Sequence, residues 1–151
     1  MPIAETDQSI HTMEFSKEEM IEAPVEIVWE SLLEQLGPES EIPGGKKFPL
    51  KLEAWVGGRW FRDLGNNTGH LWGHVQVIKP PNLIELCGPI AMSYPAMNHI
   101  QYRLSAEGKG TKLKLTHKAM GMIIPEHRDM DEAWEYIAGR VKLIAERKMK
   151  K

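Results

Sequence analysis

I-E-A-P-V-E-I-V-W-E-S-L-L-E-Q-L, from Ile21 to Leu36, reads as a strand end, then Ala23-Pro24, then an amphipathic helix. Val25, Val28, Trp29, Leu32, Leu33 and Leu36 fall at i, i+3, i+4, i+7, i+8 and i+11, one apolar stripe on a 3.6-residue period. Proline suits the first helical turn, where the amide it lacks has no partner anyway. Gly37-Pro38 then stops the helix. A second amphipathic helix is expected from about His127 to Met149, with a seam of Met130, Trp134, Ile137, Val141 and Ile144. Asp129 and Glu132 form a capping pair at its start, with Asp131 as a competing N-cap. Lysines and arginines crowd its last turns, where they complement the helix dipole.

Working outward, residues 1 to 10 are polar and read as a loosely held tail. Thr12 to Ile21 forms a first strand whose apolar members are Met13, Phe15 and Met20. Residues 37–49 carry three prolines and three glycines and read as a loop. A loop of that length is commonly a mouth or lid. Strands then follow at Leu50–Val56, Arg59–Leu64, His70–Lys79, Leu83–Cys87, Asn98–Ala106 and Thr111–Ala119, separated by glycine, proline and asparagine turns. Connections this short favour an antiparallel meander over parallel crossovers. Residues 88–98 form a longer apolar connection.

Alternation gives the strands a wet face and a covered face. Ile100, Tyr102 and Leu104 alternate with Gln101 and Arg103; Leu113, Leu115, His117 and Ala119 alternate with Lys112, Lys114, Thr116 and Lys118. The same rule places Leu71, Gly73, Val75 and Val77 on the covered face and His70, Trp72, His74 and Gln76 outside. An outward Trp72 would add to an apolar patch of the kind that supports dimerisation, so both a monomer and a homodimer are open.

The chain has 151 residues, 42% of them hydrophobic and 26% charged, enough for one globular domain, 1–151, with a real core. A net charge of −2 and a pI near 6.3 give no positive field to draw nucleic acid. A single cysteine, Cys87, excludes an internal disulfide and fits a reducing compartment. With no base nearby in sequence, it reads as buried and inert. The first residues lack the basic start and apolar core of a secretory signal, and no apolar run reaches the roughly 20 residues that span a bilayer. A soluble, cytoplasmic protein without membrane insertion is the expectation. No phosphate loop, nucleophile elbow or H-E-x-x-H motif is present, so no cofactor is implied. His70 and His74 lie about 13 Å apart along a strand, too far to share one metal ion. Two helices, one antiparallel sheet and no reactive cluster describe a container more than a catalyst.

E-A-P-V-E-I-V-W-E-S-L at 22–32, V-G-G-R-W at 56–60, G-H-V-Q-V-I-K-P-P-N-L-I at 73–84, G-T-K-L-K-L-T-H at 110–117 and the helix around Trp134 occur in an order that resembles the START-like (SRPBCC, polyketide-cyclase-like) superfamily. More narrowly, they resemble the family named for homology to the activator of the ninety-kilodalton heat-shock protein ATPase. The resemblance implies an α+β helix-grip fold: a curved antiparallel sheet around a long C-terminal helix, with a short helix after the first strand. It also implies a cavity between sheet and helix for an apolar ligand, and a possible chaperone partner or stress role. The eukaryotic activators carry a further N-terminal domain that contributes to chaperone binding, which 151 residues do not accommodate.

Tyr102 and His117 are the polar residues expected on the covered face, where each must find a partner. Either they anchor a ligand at the cavity wall, or they bond to backbone and buried water. A third reading makes them acid and base of a cyclase- or lyase-type enzyme. Leu113 and Leu115 would line the same wall. Family resemblance points Trp60 inward, with Arg62 on its face, either pairing with a ligand carboxylate or bending to solvent. Met130, Trp134, Ile137 and Val141 would close the pocket from the helix, or simply pack as core. The expected ligand is a small apolar or amphipathic molecule.

Overall fold

The first strand is longer than its apolar content alone suggests. In a computed structural model that describes residues 9–150, it runs from His11 to Ile21 (β1), straight through Ser16-Lys17-Glu18-Glu19. Its odd-numbered residues face in and its even-numbered ones face out. Met20, expected among the apolar members, is therefore exposed. Cross-strand pairing along all eleven residues holds the polar run in place. The tail expectation falls mostly on residues 1–8, outside the described residues.

Helix α1 (Val25–Leu36) starts immediately after Pro24, whose carbonyl accepts from the N–H groups of Ile27 and Val28 at 3.0 and 3.1 Å. Its apolar stripe is buried through Val28, Trp29, Leu32 and Leu36. The 37–49 segment is more ordered than a plain loop, because β2 (Glu41–Ile42) and β3 (Lys46–Lys47) pair as a small hairpin. The strand expected over Leu50–Val56 shrinks to β4 (Lys51–Leu52). Glu53 ends it by turning back, its carboxylate accepting from Arg59 Nε at 2.9 Å, Arg59 Nη2 at 2.7 Å and the Arg59 amide at 2.8 Å. Gly58 permits this tight return, since a Cβ there would sit 1.9 Å from the Glu53 carbonyl oxygen.

The meander continues through β5 (Arg59–Gly65), β6 (Thr68–Lys79), β7 (Leu83–Gly88), β8 (Ala96–Glu107) and β9 (Gly110–Gly121). Together these form one curved antiparallel sheet in the order β1-β9-β8-β7-β6-β5-β4. Strand β6 departs from simple alternation. It pairs Gly73 with Trp60 and Leu71 with Phe61, so Trp72 is an extra residue opposite β5. It then pairs Val75 with Leu86 and Val77 with Glu85, so Gln76 is extra opposite β7. Each bulge inverts the phase of the strand. Trp72 consequently packs against the core, Leu71 is exposed, and Val77 lies opposite outward-facing Glu85. His70 pairs with Arg62 and lies against Trp72, so it too faces inward, and these four positions reverse the expected faces. Gly73 allows the close strand approach, because a Cβ there would come within 2.5 Å of the Cys87 carbonyl oxygen.

After a 3₁₀ turn at Pro125–His127, helix α2 (Asp131–Met149) lies against the sheet and α1. Its N-cap is Met130, without a side-chain cap; Asp129 and Glu132 do not form the expected reciprocal pair. The buried seam is Trp134, Ala138, Val141 and Ala145, the alanines allowing close approach, while Ile144 is only half-buried. The helix end is fastened to β1 and α1: Lys142 Nζ donates to the Met20 carbonyl at 2.6 Å, the Glu22 amide donates to Glu146 at 2.8 Å, and Lys148 pairs with Glu34 at 3.0 Å. This is an α+β helix-grip fold. No helix among the described residues is long and apolar enough to cross a membrane.

Candidate functional site

The sheet, the end of α1, the β2–β3 segment and the start of α2 surround a cavity of about 160 Å³ with an almost wholly apolar wall. Trp60, Trp72 and Tyr102 contribute from the sheet, and Met130, Ala133, Trp134 and Ile137 from the α2 side. Leu36 and Leu50 close one end, Ile42 and Pro43 from the 37–49 segment and Ile90 and Ala91 from the 88–98 connection another. Both long connections thus border the hollow.

Gln35, Ser40 and Glu41 also border the hollow, and the indole and phenol groups of its lining residues divide into two sets. Trp60 Nε1 donates to the Leu36 carbonyl at 2.7 Å, and Trp134 Nε1 donates to His117 Nδ1 at 2.9 Å. Tyr102 Oη and Trp72 Nε1 are buried with no hydrogen-bond partner in the protein. Tyr102 is completely buried, and burial raises its phenol pKa well above the usual 10. It stays neutral and a donor. An orphaned buried hydroxyl costs about 1–3 kcal/mol, so a guest that supplies an acceptor recovers that energy.

His117 does not reach the cavity wall. Trp134 donates to Nδ1, so the imidazole proton sits on Nε2 and is given to Asn98 Oδ1 at 2.6 Å. Asn98 Nδ2 in turn reaches the Gly88 and Pro89 carbonyls at 3.2 and 3.3 Å. Burial pushes the His117 pKa down to about 4, keeping the ring neutral. Both ring nitrogens are engaged by groups that do not titrate, and His117 makes no bond to Tyr102. The acid–base pairing expected of these two residues is not formed.

Leu113, Leu115 and Val141 are fully buried core residues beyond the cavity wall. Arg62 shares the inner face with Trp60 but neither lines the hollow nor bends away; its guanidinium stacks 3.9 Å above the centre of the Phe48 ring. Three residues that the sequence reading missed hold the 37–49 segment to α2. Tyr136 Oη donates to Glu41 Oε1 at 2.8 Å, Arg140 lies 3.4 Å from Glu41 Oε2, and Arg140 Nε donates to Gln35 at 3.3 Å. Trp72 was missed as well, because its bulge hides it from alternation, although glycines at 69 and 73 are a bulge signal. Cys87 is half-buried on the outer face, with His74 and His99 as its register partners on the two neighbouring strands. His70 lies against Trp72 while His74 is exposed, so the two do not converge. Among the described residues, no three His, Cys, Asp or Glu side chains gather to hold a metal ion.

No protein-family model matches the chain, and no curated protein matches its sequence. Solved structures do match its fold. An uncharacterised protein from Rhizobium leguminosarum aligns with a TM-score of 0.70 at 16% identity, over 92% of this chain and 97% of that one. A protein of unknown function from Staphylococcus aureus aligns at 0.67 and 13% identity, over 94% and 98%. CalU16 from Micromonospora echinospora aligns at 0.60 and 19% identity, over 95% and 90%. At these identities the likeness is one of fold.

Proposed function

We propose that this protein binds a small hydrophobic molecule in the hollow between sheet and α2, without converting it chemically. The observation that carries this reading is the apolar cavity itself. A well-packed domain leaves few voids larger than a water molecule, and this one holds about 160 Å³ on the covered side of the sheet. The helix-grip architecture, and the motif order that resembles the START-like superfamily, support the same role. The neutral, doubly engaged His117 supports binding over catalysis.

The test plugs the hollow from one side. Ala133→Phe adds a ring where α2 borders the cavity. Gently released protein, studied by native mass spectrometry, should carry an apolar compound that the Ala133→Phe variant lacks while retaining its fold. Equal uptake by both proteins would defeat the proposal. A chaperone partner, the role implied by the narrower family resemblance, would bind regardless of plugging.

A further inference from the structure

We infer that the guest is an uncharged molecule about one ring in size, whose acceptor oxygen takes the orphaned hydrogen of Tyr102, with Trp72 Nε1 as second donor. This deepens the binding role proposed above and rests on it. Three observations on the cavity wall lead here.

The first is donor polarity. Of the four Trp and Tyr side chains on the wall, Trp60 and Trp134 have their N–H groups satisfied and Tyr102 and Trp72 do not. An indole N–H only donates, and a phenol buried among hydrocarbon has its hydrogen to give. What is lacking is an acceptor, so a pure hydrocarbon leaves both donors stranded.

The second is charge. The carboxylate on the wall is Glu41, already engaged by Tyr136 and Arg140. No lysine or arginine is among the described lining residues, and Arg140, which contacts that carboxylate, is held by Glu41, Gln35 and the Glu39 carbonyl, as Arg62 is by the Phe48 ring. A carboxylate guest would be buried without a counter-ion and beside a negative group. A carbonyl or ether oxygen meets the donors at no such cost.

The third is size. Apolar cavities of roughly 150 Å³ accept a single benzene ring, whereas drug-sized pockets start at about 300 Å³. A hollow of about 160 Å³ takes one ring with a short substituent, and excludes a long acyl chain.

Three planar probes of matched shape separate these elements: acetophenone, α-methylstyrene and benzoate. Binding is followed by amide and indole N–H chemical shifts, with the Trp72 indole signal identified from Trp72→Phe. Acetophenone should bind, move the Trp72 indole resonance, and lose about tenfold in affinity in Tyr102→Phe. The affinity of α-methylstyrene should be unchanged or improved in that variant, and benzoate should bind at least tenfold more weakly than acetophenone. Equal weakening of acetophenone and α-methylstyrene by Tyr102→Phe, or tightest binding by benzoate, would overturn the inference and leave the container role standing. If no probe enters and Ala133→Phe changes nothing in the native mass spectrum, both fall.

Discussion

Trp134 donates its indole hydrogen to Nδ1 of His117, and this bond decides where the imidazole keeps its own proton. With Nδ1 accepting, Nε2 must donate, and Asn98 Oδ1 receives it at 2.6 Å. Helix α2, the sheet and the Gly88-Pro89 connection are joined through one neutral ring. The ring is a fastening, and its protonation bears on stability.

The sign follows from the lowered pKa. Above the ordinary value of 6.5, His117 is neutral folded and unfolded, and its full contribution to stability is present. As pH falls from 6.5 towards about 4, the unfolded chain takes up a proton that the folded ring refuses, and stability drops by roughly 3 kcal/mol. Below that window this residue adds no further loss. Urea midpoints measured between pH 7 and pH 4 should show the decline, and His117→Gln should remove most of its slope.

Tyr102→Phe should stabilise the unliganded protein. The hydroxyl is buried and unpartnered, so its removal relieves a desolvation cost of about 1 kcal/mol while preserving the ring. Thermal unfolding would register a rise of several degrees. A fall would mean that the hydroxyl already has a bonding partner.

Glu41 holds the β2–β3 hairpin against α2 through Tyr136 and Arg140. Glu41→Ala should free that hairpin at a local cost of about 1–2 kcal/mol. Hydrogen exchange of amides in the 40–48 segment should accelerate at least tenfold, with guest release quickened in step. Global unfolding should shift far less, since neither hairpin strand belongs to the seven-stranded sheet.

Gly58→Ala should damage the edge formed by β4 and β5. Its Cβ would fall on the Glu53 carbonyl, forcing open the turn that the Glu53–Arg59 ion pair closes. A loss of about 1–3 kcal/mol is expected, read as a lower urea midpoint. Gly57→Ala meets no neighbouring atom within 4 Å but sits at φ +80°, so a smaller loss through backbone strain alone is expected there.

Periodicity carried the fold a long way. Val28, Trp29, Leu32 and Leu36 of the first helix stripe are buried, with Val25 and Leu33 half-buried at its margin, and Ile100, Tyr102, Leu104, Leu113, Leu115 and His117 are buried as their alternation requires. Such patterns are local, and the sheet only has to agree with them. What stayed hidden depends on pairing between distant segments. Trp72 turned inward because β5 pairs past it, and although Gly69 and Gly73 mark the place as one where a bulge fits, they do not by themselves set that register. Glu41 lies 95 residues before Tyr136 and farther still from Arg140; all three are ordinary surface types singly, and acquire meaning only once α2 meets the hairpin. His117 was legible as buried and polar, but its partners Asn98 and Trp134 come from another strand and from the helix.

The extra residue in β6 makes the inside of this vessel a matter of counting. In an unkinked strand, Leu71 would stand on the inner wall and Trp72 would look out at solvent. One backbone irregularity therefore exchanges plain hydrocarbon for an indole donor with every side chain left as it is. Under the binding role proposed above, a single insertion or deletion between Gly69 and Gly73 would change which groups a guest meets, a route that no catalogue of point substitutions would reveal.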